Sequence, residues 1–124
     1  MCMKKEIGIL IKNRRLKLGF TLRELSKKID VSPVYLCNIE NGNRNLPSNE
    51  IIIKIANVLF PVEPDKEDFF DIISKYQNKI PIDIEKYLVN NRNAIKVIRC
   101  SNKLNLTNEN WEYLHEIINE MQEK

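Results

Sequence analysis

Twice between residues 20 and 36 the chain spells the start of a helix. In Phe20-Thr21-Leu22-Arg23-Glu24-Leu25 the threonine can cap the first-turn amides, the glutamate three positions on can complete a capping box, and Phe20 can staple onto Leu25. Val31-Ser32-Pro33-Val34-Tyr35-Leu36 repeats the pattern, with Ser32 as cap, Pro33 at the first helical position and Leu36 as the staple partner. The gap between the two starts holds only one short helix and a tight turn. The spacing therefore predicts a helix to about Ile29, a turn at Asp30, and a second short helix that stops at Asn41-Gly42, where glycine takes the left-handed conformation. Helices this short do not stand alone in water, so the flanking segments must supply their core.

Those flanks are helical too. From Lys4 to Leu18, Ile7, Leu10, Ile11 and Leu18 recur at helical spacing, and Gly19 ends the run. Asn43 to Pro47 reads as an extended loop, after which Ser48 caps a helix with Ile51, Ile52, Ile55, Ala56 and Leu59 on a wide apolar face. Pro61 to Pro64 reads as a boundary. Beyond it, Asp65 is expected to cap a helix carrying Phe69, Phe70, Ile73 and Tyr76; Ile80-Pro81 opens one with Ile84, Tyr87 and Leu88; and Asn93 begins one with Ile95, Val97 and Ile98. Leu106-Thr107 repeats the staple and cap before a last helix whose Trp111, Leu114, Ile118 and Met121 share a face opposite a row of glutamates. With only three glycines and no alternating β-branched runs, the fold class is all-α. The expected division is a domain over 4–62 and a helical region over 63–124.

The net charge of +3 hides an asymmetry: residues 1–61 carry 11 Lys/Arg against 5 Asp/Glu, and residues 62–124 carry 9 against 12. A basic first half attracts phosphates; the mildly acidic second half would be a poor second nucleic-acid surface. Cys2, Cys37 and Cys100 are odd in number and far apart, without a CxxC pair, so neither a disulfide framework nor a zinc site is expected, and a reducing cytoplasm is the natural home. No stretch has the length of a membrane span, and Ile7 to Ile11 is too short for a signal-peptide core. His115 has no metal-ligating neighbours at suitable spacing. With no phosphate loop, no nucleophile with an orienting acid and no metal cluster, no enzyme and no cofactor are expected.

Two capped helices joined by a tight turn can project the second into a major groove while the first crosses the backbone. Ile11 to Arg15, Gly19 to Ser26, Val31 to Leu36, Ile39-Glu40-Asn41-Gly42 and Leu46-Pro47-Ser48 together closely resemble the Cro and lambda-repressor-like (XRE) helix-turn-helix family, over about residues 6–60. The resemblance implies a bundle of four to five helices followed here by a C-terminal helical extension. It makes Ser32 to Glu40 the recognition helix, with Ser32, Pro33, Val34, Tyr35 and Asn38 at or near the bases. Asn38 has the chemistry for a bidentate pair with adenine, and Val34 for a thymine methyl. Phosphate contacts are implied for Thr21, Arg23, Asn41, Asn43, Arg44 and Asn45, with Lys12, Arg14 and Lys17 adding attraction. Leu22 departs from the family, which often has a phosphate-binding glutamine there.

Plainer roles compete for several of these residues. Arg15 and Glu40 match the family's internal ion pair. Thr21 and Ser32 are helix caps first, Lys27 and Lys28 read as a solvated face, Tyr35 is divided between packing on the following loop and touching the DNA backbone, and Cys37 reads as a small neutral packing residue. Trp111, Leu114, Ile118 and Met121 form a candidate dimer or partner surface, against the simpler reading as core. The expected function is a sequence-specific, dimeric repressor that reads a palindromic operator in double-stranded DNA. The alternatives are an antitoxin-like autoregulator whose C-terminal half holds a protein partner, and a protein-interaction module without DNA binding.

Overall fold

The computed structural model describes residues 3–122. Among them are eight α-helices and no strand: α1 (Met3–Lys17), α2 (Leu22–Lys28), α3 (Pro33–Glu40), α4 (Asn49–Leu59), α5 (Asp65–Gln77), α6 (Ile82–Val89), α7 (Arg92–Leu104) and α8 (Asn108–Gln122). The protein has the all-α architecture expected, with the two short capped helices α2 and α3 following one another inside the first bundle. No helix is long and apolar enough to cross a membrane among the described residues.

The chain divides into two compact units, Met1–Glu85 and Lys86–Lys124. The expected boundary at 62/63 thus falls inside the first unit. The cause is α5, whose Phe69, Phe70 and Ile73 are buried in the same core as Ile7 and Ile11 of α1, Leu25 and Ile29, Leu36 and Ile39, and Ile52, Ile55, Ala56 and Leu59 of α4. Phe60 and Phe69 stack with centroids 4.7 Å apart, one ring on each side of the proline-rich segment. Pro61 to Pro64 is therefore a loop that folds α5 back onto the bundle, and Ile82 at the start of α6 closes the core.

Local chemistry explains the helix ends. Thr21 makes the full capping box with Glu24, and Ser32 caps α3 by accepting from the Tyr35 amide at 3.1 Å, with Pro33 following. Asp30, between α2 and α3, occupies the left-handed region at φ 59, a conformation that Asp and Asn tolerate better than most side chains. Two expected caps differ. Ser48 precedes α4 without a side-chain capping bond, and Pro64 rather than Asp65 stands at the cap of α5, which leaves Asp65 in its acidic first turn. Leu18, expected on the buried stripe of α1, is 40% exposed because α1 ends at Lys17.

Gly8, in the middle of α1, is buried where that helix crosses the end of α3. A Cβ at this position would stand 2.5 Å from the Ile39 carbonyl oxygen and 2.8 Å from the Glu40 carbonyl carbon. Gly42, at φ 72, meets α1 in the same way, since a Cβ there would lie 2.9 Å from the Lys5 Cα. Both glycines let the first helix lie against the C-terminal end of the third.

In the second unit α7 is capped at its C-terminus by left-handed Asn105, and Thr107 and Asn110 exchange capping bonds of 3.0 and 3.2 Å at the start of α8. No residue of α8 is buried.

Candidate nucleic-acid interface

The helix-turn-helix is held from behind by an ion pair. Arg15 Nε donates to Glu40 Oε2 at 2.7 Å and Arg15 Nη2 donates to Oε1 at 3.0 Å, while Nη1 donates to the Phe20 carbonyl at 2.9 Å. Both side chains are buried, so the fork ties α1 to the last turn of α3 and to the segment entering α2. Donating these bonds to Glu40 raises the Arg15 pKa against the lowering effect of its burial, which keeps the guanidinium charged.

With Leu36, Ile39 and Glu40 turned inward, α3 presents the opposite face. Ser32, Pro33 and Val34 are exposed, Val34 to 71%, and Asn38 is half-buried one turn beyond Val34. Asn41 follows at the next helical interval, exposed, its Nδ2 3.4 Å from Cys37 Sγ. Val34, Asn38 and Asn41 thus lie along one stripe by the 3.6-residue period. Asn43, Arg44 and Asn45 are exposed on the loop that continues from it, and the Asn43 amide donates to the Asn38 carbonyl at 2.9 Å. Tyr35 is half-buried against the core and Arg44 stacks on its ring, with the guanidinium carbon 4.4 Å from the ring centroid.

Thr21 and Arg23 are exposed at the start of α2. The Thr21 hydroxyl oxygen accepts from the Glu24 amide at 3.1 Å and its amide donates to Glu24 Oε1 at 3.0 Å, which draws the Glu24 carboxyl below its ordinary pKa. Ser32 Oγ is engaged with its cap in the same way, so these two residues act as caps in the free protein. Leu22 is half-buried and packs on the core, the apolar use of a position where the family resemblance implies a polar anchor.

One cation expected to add attraction to DNA is engaged elsewhere. Arg14 Nε donates to the Leu59 carbonyl at 2.8 Å, the guanidinium lies 5.3 Å from the Phe60 centroid, and Nη2 is 3.8 Å from Asp65. It fastens α1 to the end of α4 and the start of α5. Lys12 and Lys17 remain exposed on α1, as do Lys27 and Lys28 on α2, with Lys28 over the Phe20 ring at 5.3 Å. Cys37 is half-buried, and no group of three or more His, Cys, Asp or Glu side chains among the described residues could hold a metal ion.

In the second unit, Trp111, Ile118 and Met121 are exposed to 40%, 55% and 67%, and Leu114 is half-buried. They do not form a core there. Val97, Ile98, Leu104 and Tyr113 are exposed beside them in sequence.

Comparison with known proteins agrees with this geometry. The family model described as helix-turn-helix matches residues 11–66. The ImmF control region 10 kDa protein of Bacillus phage phi105 is 40% identical over 52 residues, a stretch that covers 42% of this chain and 57% of that protein. A chain from the complex of the SinR and SinI proteins is a looser likeness, with a TM-score of 0.46 at 22% identity over 95% of this chain and 99% of that one. With the capped helix pair and the exposed face of α3, the family match shows that residues 11–66 form a helix-turn-helix domain, similar to those of DNA-binding regulators of the XRE, or Cro and lambda-repressor-like, type.

Proposed function

We propose that this protein is a transcriptional repressor that binds a palindromic operator as a homodimer, with α3 in the major groove. The observation that carries this reading is the stripe formed by Val34 and Asn38 of α3 and by Asn41 at its C-terminal cap, continued by an exposed loop of Asn43, Arg44 and Asn45. An apolar contact for a thymine methyl, an amide for adenine and a cation for phosphate stand side by side there. The control-region name of the phage relative supports a regulatory role. Occupying an operator requires no catalysis, cofactor or metal.

Dimerisation is supported by the second unit. At about 40 residues it lies at the size below which chains usually need disulfides, metals or a partner chain to stay folded, and α8 buries none of its side chains. A twofold arrangement would set two recognition helices roughly 34 Å apart and call for inverted half-sites about ten base pairs between centres.

The same exposed side chains favour a second reading, in which they hold a different protein and the first unit represses its own operon. Selection of bound duplexes from a random DNA pool at two salt concentrations, with the mass of the free protein in solution, separates these. An enriched inverted repeat and a dimeric mass support the first reading. A monomer that co-purifies with another chain favours the second, and no enrichment with only weak, salt-sensitive binding refutes sequence-specific regulation by this chain alone.

A further inference from the structure

Arginines of the first unit differ in what they are left to do. Arg14 and Arg15 are committed internally, the first to the Leu59 carbonyl and Asp65, the second to Glu40 and the Phe20 carbonyl. Arg44 is exposed, and among the described residues no carboxylate pairs with it. Its guanidinium lies over the Tyr35 ring at 4.4 Å, well inside the range at which a cation is attracted to an aromatic face. The ring is itself fixed, because Tyr35 packs on the core and its amide donates to Ser32 Oγ. A guanidinium held over a ring by its central carbon keeps N–H donors that the ring does not consume, and that planar fork fits phosphate oxygens. The stack joins the first turn of α3 to the loop beyond its last.

We propose that Tyr35 is a positioning residue: rather than reading a base, it holds Arg44 as a preformed clamp for a DNA phosphate beside the recognition helix. This rests on the DNA-binding reading above. Ordering a long side chain on association weakens binding, and the stack meets most of that cost in the free protein.

Affinity for a mixed-sequence DNA duplex over a series of salt concentrations tests it. Arg44→Ala is expected to lower the salt slope by about 1. Tyr35→Leu is expected to weaken binding roughly 2- to 10-fold on every sequence, Tyr35→Phe to leave it unchanged, and Tyr35→Leu to cost nothing further in the Arg44→Ala background. Because loss of the ring also disturbs packing, Arg44→Lys provides a variant with Tyr35 intact; it should keep the salt slope and lose affinity. In the free protein, the Arg44 δ-methylene protons should be shifted upfield by the ring. Equal costs of Tyr35→Leu in both backgrounds, unchanged affinity in Arg44→Lys, an unshifted Arg44 resonance, or altered preference at one base pair in Tyr35→Leu would each overturn the proposal while DNA binding stood. A parent protein that bound no duplex would overturn the DNA-binding reading and the clamp with it.

Discussion

Arg15 and Glu40 meet in a two-bonded fork, 2.7 and 3.0 Å, with both side chains buried. Removing one member strands the other charge away from water, which costs about 3–5 kcal/mol. Arg15→Ala and Glu40→Ala should each lower unfolding stability by that amount in urea titrations. The double replacement Arg15→Met with Glu40→Leu should be milder than either, since it leaves no orphaned charge. A loss below about 1 kcal/mol in the single variants would show that the pair is not what ties α1 to α3.

Gly8→Ala should destabilise the first unit by about 3 kcal/mol, because a methyl group would collide with backbone carbonyls that cannot swing aside. The shift of the urea midpoint measures it. A midpoint equal to the parent's would mean that α1 can ride further from α3 at no cost.

Asp30 pays for its left-handed backbone in steric strain, which glycine would lack. Asp30→Gly is expected to raise stability by about 0.5–1 kcal/mol, and Asp30→Val to lower it. Thermal midpoints that moved the other way would contradict a strained turn between α2 and α3.

Acid should loosen the start of α2. The Thr21 amide and hydroxyl hold the Glu24 carboxyl below the ordinary glutamate pKa, so its contribution is fully present above that value, about 4.3, and is lost as pH falls through the lowered one. Thermal midpoints of the parent should therefore fall more steeply below about pH 4 than those of Glu24→Gln, whose amide still accepts from Thr21 at every pH. Parallel curves for the two proteins would remove Glu24 from the account.

On DNA, Asn38→Ala should relax preference at one base pair of the operator, with about 1–3 kcal/mol of discrimination lost there and other positions unaffected. Binding to a library randomised at each position reads this directly. A uniform loss across all positions would refute base readout by the Asn38 side chain.

What could be read from the chain was local. Thr21 with Glu24, Ser32 with Pro33, and Thr107 are caps written within four residues, and the helices they open are present. The stripe of α3 and the polar loop after it follow from the helical period. What could not be read required knowing which distant groups meet. The prolines at 61 and 64 look like a linker until Phe69 is seen stacked on Phe60. Arg14 looks like any basic residue on an exposed helix until the Leu59 carbonyl is placed beside it. Gly8 has no turn to explain it and makes sense only once α3 crosses α1. The Tyr35–Arg44 contact belongs to the same class, since the eight intervening residues give no sign that the loop returns to the ring.

The ring stack of Phe60 and Phe69 bears on how such a domain can be moved between proteins. A recombination point at the prolines, which composition makes attractive, would split an aromatic pair and leave Phe60, Leu59 and Ile55 facing water in the transplanted piece. The smallest inheritable DNA-reading cassette in this chain is therefore larger than its helix-turn-helix signature. It must carry α5 with it, and Ile82 as its lid, so any new tail that evolution attaches has to begin after that residue.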